Sequence, residues 1–166
     1  MVSTLVLIPA CNEAARIGAV VDGVGAQLPD AVILVIDDGS EDDTASTAER
    51  HGAITIRHPF NLGYGAALQT GYHYAKARHF DRLIQLDADG QHDPGSIQTL
   101  LAALDAGADV VVGSRYRGSA PRTSWLRRLG SRFFARLVTV WTGVPITDPT
   151  SGFQAMDRRA LEELRD

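Results

Sequence analysis

Ala31-Val-Ile-Leu-Val-Ile36, running straight into Asp37-Asp-Gly-Ser40, decides the fold. The run is apolar without interruption, so it predicts a strand covered on both faces, as in a parallel sheet. It stops in an acidic turn, which places polar chemistry at a strand's carboxyl end. The same grammar recurs on either side. Thr4-Leu-Val-Leu-Ile8 is a strand ended by Pro9, and Ala53 to Arg57 is a short one. Arg82-Leu-Ile-Gln-Leu86 runs into Asp87-Ala-Asp89, and Asp109-Val-Val-Val-Gly113 closes the series. Helices fall between them: Glu13 to Leu28, with Ile17, Val20, Val21 and Val24 on one face, about Asp42 to His51, Leu62 to Arg78, and one from Pro94 to about Ala106. This alternation predicts an α/β domain, a Rossmann-like and mostly parallel sheet flanked by helices. Ligands of such sheets bind beyond the carboxyl ends of the strands. Pro9 to Glu13, Asp37 to Ser40, Asp87 to Gln91, and Ser114 with Arg115 all fall there.

Beyond Arg115 the pattern changes. Ser119 to Ser124 reads as a loop, Trp125 to Trp141 as a basic and apolar helix, Asp148 to Gly152 as a turn, and Asp157 to Asp166 as a final polar helix. No repeat or low-complexity tract divides the 166 residues, so a single domain over 1–166 is expected. The single cysteine, Cys11, excludes an intramolecular disulfide framework and fits a cytoplasmic setting. No stretch approaches the ~18 uninterrupted apolar residues of a membrane span, and no secretory leader is visible. From Val110 to Thr147 there are seven arginines and no acidic residue, although the whole chain carries −4. That segment suits an anionic partner or a solvated helix face. No nucleic acid partner is expected.

Asp87-Ala88-Asp89 is the central chemical motif. Two carboxylates one residue apart, in the turn after a strand, can meet one hard cation, with phosphate oxygens completing its shell. Gln91 can add a neutral oxygen. A D-x-D by itself also fits an ordinary surface turn; its place after a buried strand, with other acidic strand ends nearby, favours the metal. Asp37 and Asp38 can accept hydrogen bonds from a nucleoside or form an Asx turn, with Ser40 capping the next helix. Glu13 fits either a helix N-terminal charge or a nucleoside contact. Asn61-Leu-Gly-Tyr-Gly-Ala-Ala67 opens a helix whose N-terminus favours phosphate, or whose glycines allow tight packing. No His or Cys cluster has zinc spacing, and His92 reads as a neighbour of the carboxylates. A phospho-receiver would want its acidic pair after the first strand. A dinucleotide dehydrogenase would want G-x-G-x-x-G there, where Pro9-Ala-Cys-Asn-Glu13 stands.

Taken together, these blocks resemble the family 2 glycosyltransferases of GT-A fold, and within them the polyprenyl-phosphate sugar synthases of the dolichol-phosphate mannose synthase kind. The resemblance is carried by Ile8 to Glu13, Asp37 to Thr44, Asn61 to Ala67, Leu86 to His92, Gly113 to Arg115 and Asp148 to Phe153. It implies that Pro9, Cys11, Glu13, Ile36 and Asp38 line a nucleoside pocket beside Ala88. It implies that Asp87, Asp89 and Gln91 hold Mg²⁺ or Mn²⁺ and the diphosphate. Arg115, with Arg127 and Ser131, would face the phosphates of donor and acceptor, and with Asp89 these form the expected catalytic set. Residues 1–115 would then bind the nucleotide sugar, of the GDP-mannose or UDP-glucose class, and residues 116–166 would face the acceptor. The implied reaction is inverting transfer of mannose or glucose to an anionic lipid-linked acceptor, polyprenyl or dolichyl phosphate, in peripheral contact with the inner face of a membrane. A phosphate oxygen needs no general base to attack an anomeric carbon, which suits a site rich in arginine. Such enzymes continue past the Pro-Thr-Ser-Gly-Phe block, so a C-terminally truncated form is expected. The alternative is a non-catalytic donor-binding domain, or a half-enzyme completed by another chain.

Overall fold

The computed structural model describes residues 2–113 and 151–164. The elements are β1 (Thr4–Ala10), α1 (Ala14–Gln27), β2 (Val32–Asp37), α2 (Thr44–Arg50), β3 (Ile54–Arg57), α3 (Tyr64–Ala77), β4 (Arg82–Gln85), a 3₁₀ turn (Pro94–Ser96), α4 (Ile97–Asp105), β5 (Val110–Val112), β6 (Gln154–Asp157) and α5 (Arg158–Glu163). They build a six-stranded sheet in the order β3-β2-β1-β4-β6-β5. β3, β2, β1 and β4 run parallel, while β6 is antiparallel to both β4 and β5.

The continuous apolar runs divide by the pleat, since alternate residues face opposite sides. Val6, Ile8, Ile33, Val35, Ile84 and Leu86 pack with α1 and α4 through Ile17, Val21, Val24, Ile97 and Leu100. Leu5, Leu7, Leu34, Ile36 and Leu83 pack on the other face with Ala67, Ala75 and Leu161. The chain steps outward from β1 to β2 to β3, then crosses back so that β4 pairs with β1 on its other side. The order therefore reverses between β1 and β4, and a crevice opens there at the carboxyl ends. Cys11 directly follows β1, and Asp87 lies two residues beyond β4.

Three expectations change. Pro9 does not end β1, which continues to Ala10. Successive residues of a strand bond to alternate neighbours: Ala10 accepts from Asp38 on the β2 side, and Leu7 accepts from Leu86 on the β4 side. Pro9 thus faces β4 just above Leu7↔Gln85, the last pair of that ladder, where a missing N–H costs no bond. Second, β6 (Gln154–Asp157) lies between the expected turn and the expected final helix, where no strand was expected, and takes Asp157 from that helix. Third, the helix that follows is only Arg158–Glu163, with Asp157 capping it by accepting from Ala160 N at 2.9 Å.

Candidate active site at the strand ends

Two carboxylate seats lie at the carboxyl ends. The first is built by Asp37-Asp-Gly39. Asp37 is fully buried; its Oδ1 accepts from Ser40 N at 3.1 Å and its Oδ2 lies 3.2 Å from Arg57 Nε. Asp38 is also buried. Its Oδ1 meets His58 Nδ1 at 2.7 Å and Leu62 N at 2.9 Å, and its Oδ2 accepts from Gly63 N at 2.8 Å. Burial pushes the Asp38 carboxyl upward, but the bonds from His58, Leu62 and Gly63 outweigh it and hold the group below the usual carboxylate value. The anion at the entrance to α3 is therefore the protein's own Asp38, where a phosphate was one expectation. Asp38 reads first as the tie that fixes the 58–63 loop. Gly39 completes the turn at φ +69°, where a Cβ would stand 2.4 Å from the Phe60 backbone, so only glycine fits.

The neighbouring loop is tied to this seat. Asn12 N donates to Ser40 Oγ at 2.9 Å and Glu13 N to Thr44 Oγ1 at 2.8 Å. Ser40 thus serves the Asn12 loop, and does not cap α2 as expected. The Glu13 carboxylate pairs with Arg16 at 2.7 Å in the first turn of α1. Cys11 is a free, half-buried thiol whose Sγ accepts from Asn61 Nδ2 at 3.2 Å. Ile36 was expected beside the nucleoside, but its side chain is wholly buried in the core on the α3 face, so only its backbone reaches the strand ends. Ala88 is likewise packed into the core on the α1 face.

The second seat holds Asp87, just beyond β4. Tyr64 donates to its Oδ1 at 2.8 Å, and His92 Nε2 lies 3.0 Å from its Oδ2. Burial, then the bond to Asp87 and its charge, pushes the Tyr64 phenol far above its usual value, so it remains a donor. Gln85 donates to both Tyr64 Oη and Gly152 O at 3.2 Å, and accepts from Tyr72 at 2.6 Å. Asp89, two residues on, accepts from Gln91 N at 2.9 Å within the turn; the Gln91 residue itself is exposed. An open cleft of about 550 Å³ is lined by Tyr64, Leu68, Tyr72, Gln85, Asp87, Ser151, Gly152 and Gln154.

Among the described residues no three His, Cys, Asp or Glu side chains converge as a complete metal cage. The donors at hand are hard oxygens, Asp87 with a side chain 31% exposed and Asp89 beside it. They fit Mg²⁺ or Mn²⁺, which take one or two protein carboxylates and fill the remaining positions with phosphate and water. Arg115, Arg127 and Ser131 lie outside the described residues. Sequence reasoning missed His58, Tyr64, Gln85 and Gly152, and took His92 only for a neighbour. Their roles come from strand order, which brings α3 and the 151–154 segment to β4 and which no local spacing reveals.

The whole of this frame matches one family: residues 5–165 fit the profile described as glycosyl transferase family 2. The chain belongs to that family. It is 36% identical to the polyprenol monophosphomannose synthase of Mycolicibacterium smegmatis, over 97% of this chain and 64% of that protein. It is 30% identical to the undecaprenyl-phosphate mannosyltransferase of Micrococcus luteus, over 96% of this chain and 68% of the relative. Among solved structures, the glucosyl-3-phosphoglycerate synthase of Mycobacterium tuberculosis, in complex with Mn²⁺, UDP-glucose and phosphoglyceric acid, superposes with a TM-score of 0.72. That match has 25% identity and covers 95% of this chain and 57% of the other. This family 2 chain thus has the GT-A architecture and spans about two thirds of the length of its curated relatives.

Proposed function

We propose that the chain is the donor-binding core of a divalent-metal-dependent, inverting glycosyltransferase. It moves mannose or glucose from a nucleoside-diphosphate sugar of the GDP-mannose or UDP-glucose class to a polyprenyl or dolichyl phosphate. The observation that carries this is the Asp87 carboxylate, held beyond the carboxyl end of β4 at the edge of the open cleft, with Asp89 in the same turn. The names of the two mannosyl-transferring relatives support the sugar and the lipid phosphate, and the Mn²⁺–UDP-glucose complex supports the metal and the donor type.

In the proposed transfer an acceptor phosphate oxygen attacks the anomeric carbon. The new C–O bond forms as the bond to the nucleoside diphosphate breaks, and the electron pair leaves on the diphosphate oxygen. A divalent cation on Asp87 and Asp89, with Gln91 adjacent, supplies charge neutralisation for that diphosphate when bound. The Cys11–Glu13 loop, tied to residues 40–44, offers the nucleoside a rigid wall. Arg115, Arg127 and Ser131 are assigned to the donor and acceptor phosphates. Among the described residues no helix is long and apolar enough to cross a membrane. The contact with the inner membrane face is proposed as a peripheral one through the arginine-rich stretch between Arg115 and Arg136.

The test is a thermal-shift panel of UDP-, GDP- and dTDP-sugars with and without Mn²⁺, followed by calorimetry. The expected result is a metal-dependent shift with one base class. Asp89→Ala should abolish metal-dependent nucleotide binding and leave the melting temperature near native, because its side chain only braces an exposed turn. Unchanged calorimetric affinity in that variant would remove the site assignment.

A further inference from the structure

The geometry points to Tyr64 and His92 as positioning residues that set the Asp87 carboxylate for a divalent cation. The inference rests on the reading of Asp87 as a metal ligand and names what makes it one. Asp87 lies past the last paired residue of β4 and three residues before the positive-φ Gly90, so the strand ladder does not set its side chain. Instead both oxygens are held, by the Tyr64 hydroxyl at 2.8 Å and by His92 Nε2 at 3.0 Å.

Each holder is itself held. Tyr64 Oη accepts from Gln85, a residue 2% exposed, whose own oxygen accepts from Tyr72. The His92 side chain is 7% exposed and stacks on Phe153, with ring centroids 5.2 Å apart and planes at 24°. Gly152 makes the room: a Cβ there would stand 2.3 Å from Asp87 Oδ2. Three sequence-distant segments, the start of α3, the turn after β4 and the approach to β6, thus converge on one partly exposed carboxylate.

Such a bond does little for folding, because the carboxylate can reach water. What it fixes is direction. A carboxylate oxygen carries more than one lone pair, so accepting from an N–H or O–H donor is compatible with ligating a cation. Hydrogen bonds to ligating carboxylates orient them, and losing one costs about 10- to 100-fold in metal affinity.

The experiment titrates Mn²⁺ into the full chain with saturating UDP or GDP, for the native protein and for Tyr64→Phe, His92→Phe, Asp87→Ala and Tyr74→Phe. Tyr64→Phe removes one hydroxyl; His92→Phe keeps the stack on Phe153 and removes the polar nitrogen. Each should weaken Mn²⁺ uptake about 10-fold or more, while nucleotide affinity without metal and the melting temperature stay native. Tyr74→Phe, on the same helix but stacked on Phe80, should bind as the native protein does. Native or tighter Mn²⁺ affinity in both Tyr64→Phe and His92→Phe, with Asp87→Ala inactive in binding, overturns the positioning role and leaves the metal site standing. Native affinity in Asp87→Ala, or no uptake by the native chain with either nucleotide, overturns both. If one positioning variant melts early, the other decides.

Discussion

Asp38 shows how much a single carboxylate can organise. It accepts three hydrogen bonds from its own chain, and two of the donors are backbone amides that lead into α3. Asp38→Asn keeps the shape but turns an NH₂ toward one of those donors, leaving a buried N–H without an acceptor. The expected loss is about 1–3 kcal/mol of stability in urea unfolding, with nucleotide affinity falling as the loop loosens. A native unfolding midpoint would return Asp38 to a purely nucleoside-facing role. The pH dependence follows from the same bonds. The folded-state pKa lies below the ordinary 3.8, so ionised Asp38 stabilises the fold above about that pH. The contribution is lost as pH falls through the folded-state value. Asp42, Asp81 and Asp157 are also lowered and act in the same direction, so Asp38→Asn should flatten the acid limb of the stability curve only in part. At this scale the acidic strand ends were legible because carboxylates after apolar runs stand out. Tyr64 and His92 were not, because a tyrosine in a helix start and a histidine in a turn carry no local mark of what they touch.

At the scale of elements, the turn after β2 does the most joining. It ends a central strand, begins the approach to α2 and packs under the 58–63 loop. Gly39→Ala would put a Cβ 2.4 Å from the Phe60 carbonyl carbon and 2.5 Å from Asn61 N, at a φ of +69°. The left-handed conformation alone costs about 1–2 kcal/mol for a residue with a Cβ, and the contact adds to it because backbone cannot swing aside. The variant should unfold earlier in urea and lose protection of the Leu62 and Gly63 amides in hydrogen exchange. Native protection of those amides would show that the turn and the loop are independent. The parallel strands were readable as elements because Leu, Ile and Val fill them on both faces. β6 was not: Gln154-Ala-Met-Asp157 has no β-branched residue, and it is a strand because β4 and β5 pair with it from either side. β1 was read too short for the complementary reason, since Pro9 signals an end unless its bonding side is known.

Across the whole molecule, charge is segregated. The chain carries −4, yet Arg115, Arg117, Arg122, Arg127, Arg128, Arg132 and Arg136 fall in a stretch without one acidic residue. Seven guanidinium groups repel one another unless anions meet them. Residues 114–150 lie outside the described part, and their sequence carries the point. Phe133, Phe134, Leu137, Val138 and Trp141 recur at helical spacing beside the arginines, a combination suited to a membrane interface. Each basic group near an anionic surface adds about 1 kcal/mol, so exchanging two of them for acids should reverse a substantial part of the attraction. The measurement is sedimentation with liposomes, with and without anionic lipid, comparing the native chain with the Arg127→Glu, Arg128→Glu double variant. Native protein should pellet with anionic vesicles and stay in solution with neutral ones, the double variant should stay in solution with both, and added salt should release the native chain. Binding that ignores lipid charge and both substitutions would remove the membrane contact from the proposal. It would not touch the carboxylate site, because that assignment rests on Asp87 and Asp89 at the end of β4 and on the Tyr64 and His92 bonds to Asp87.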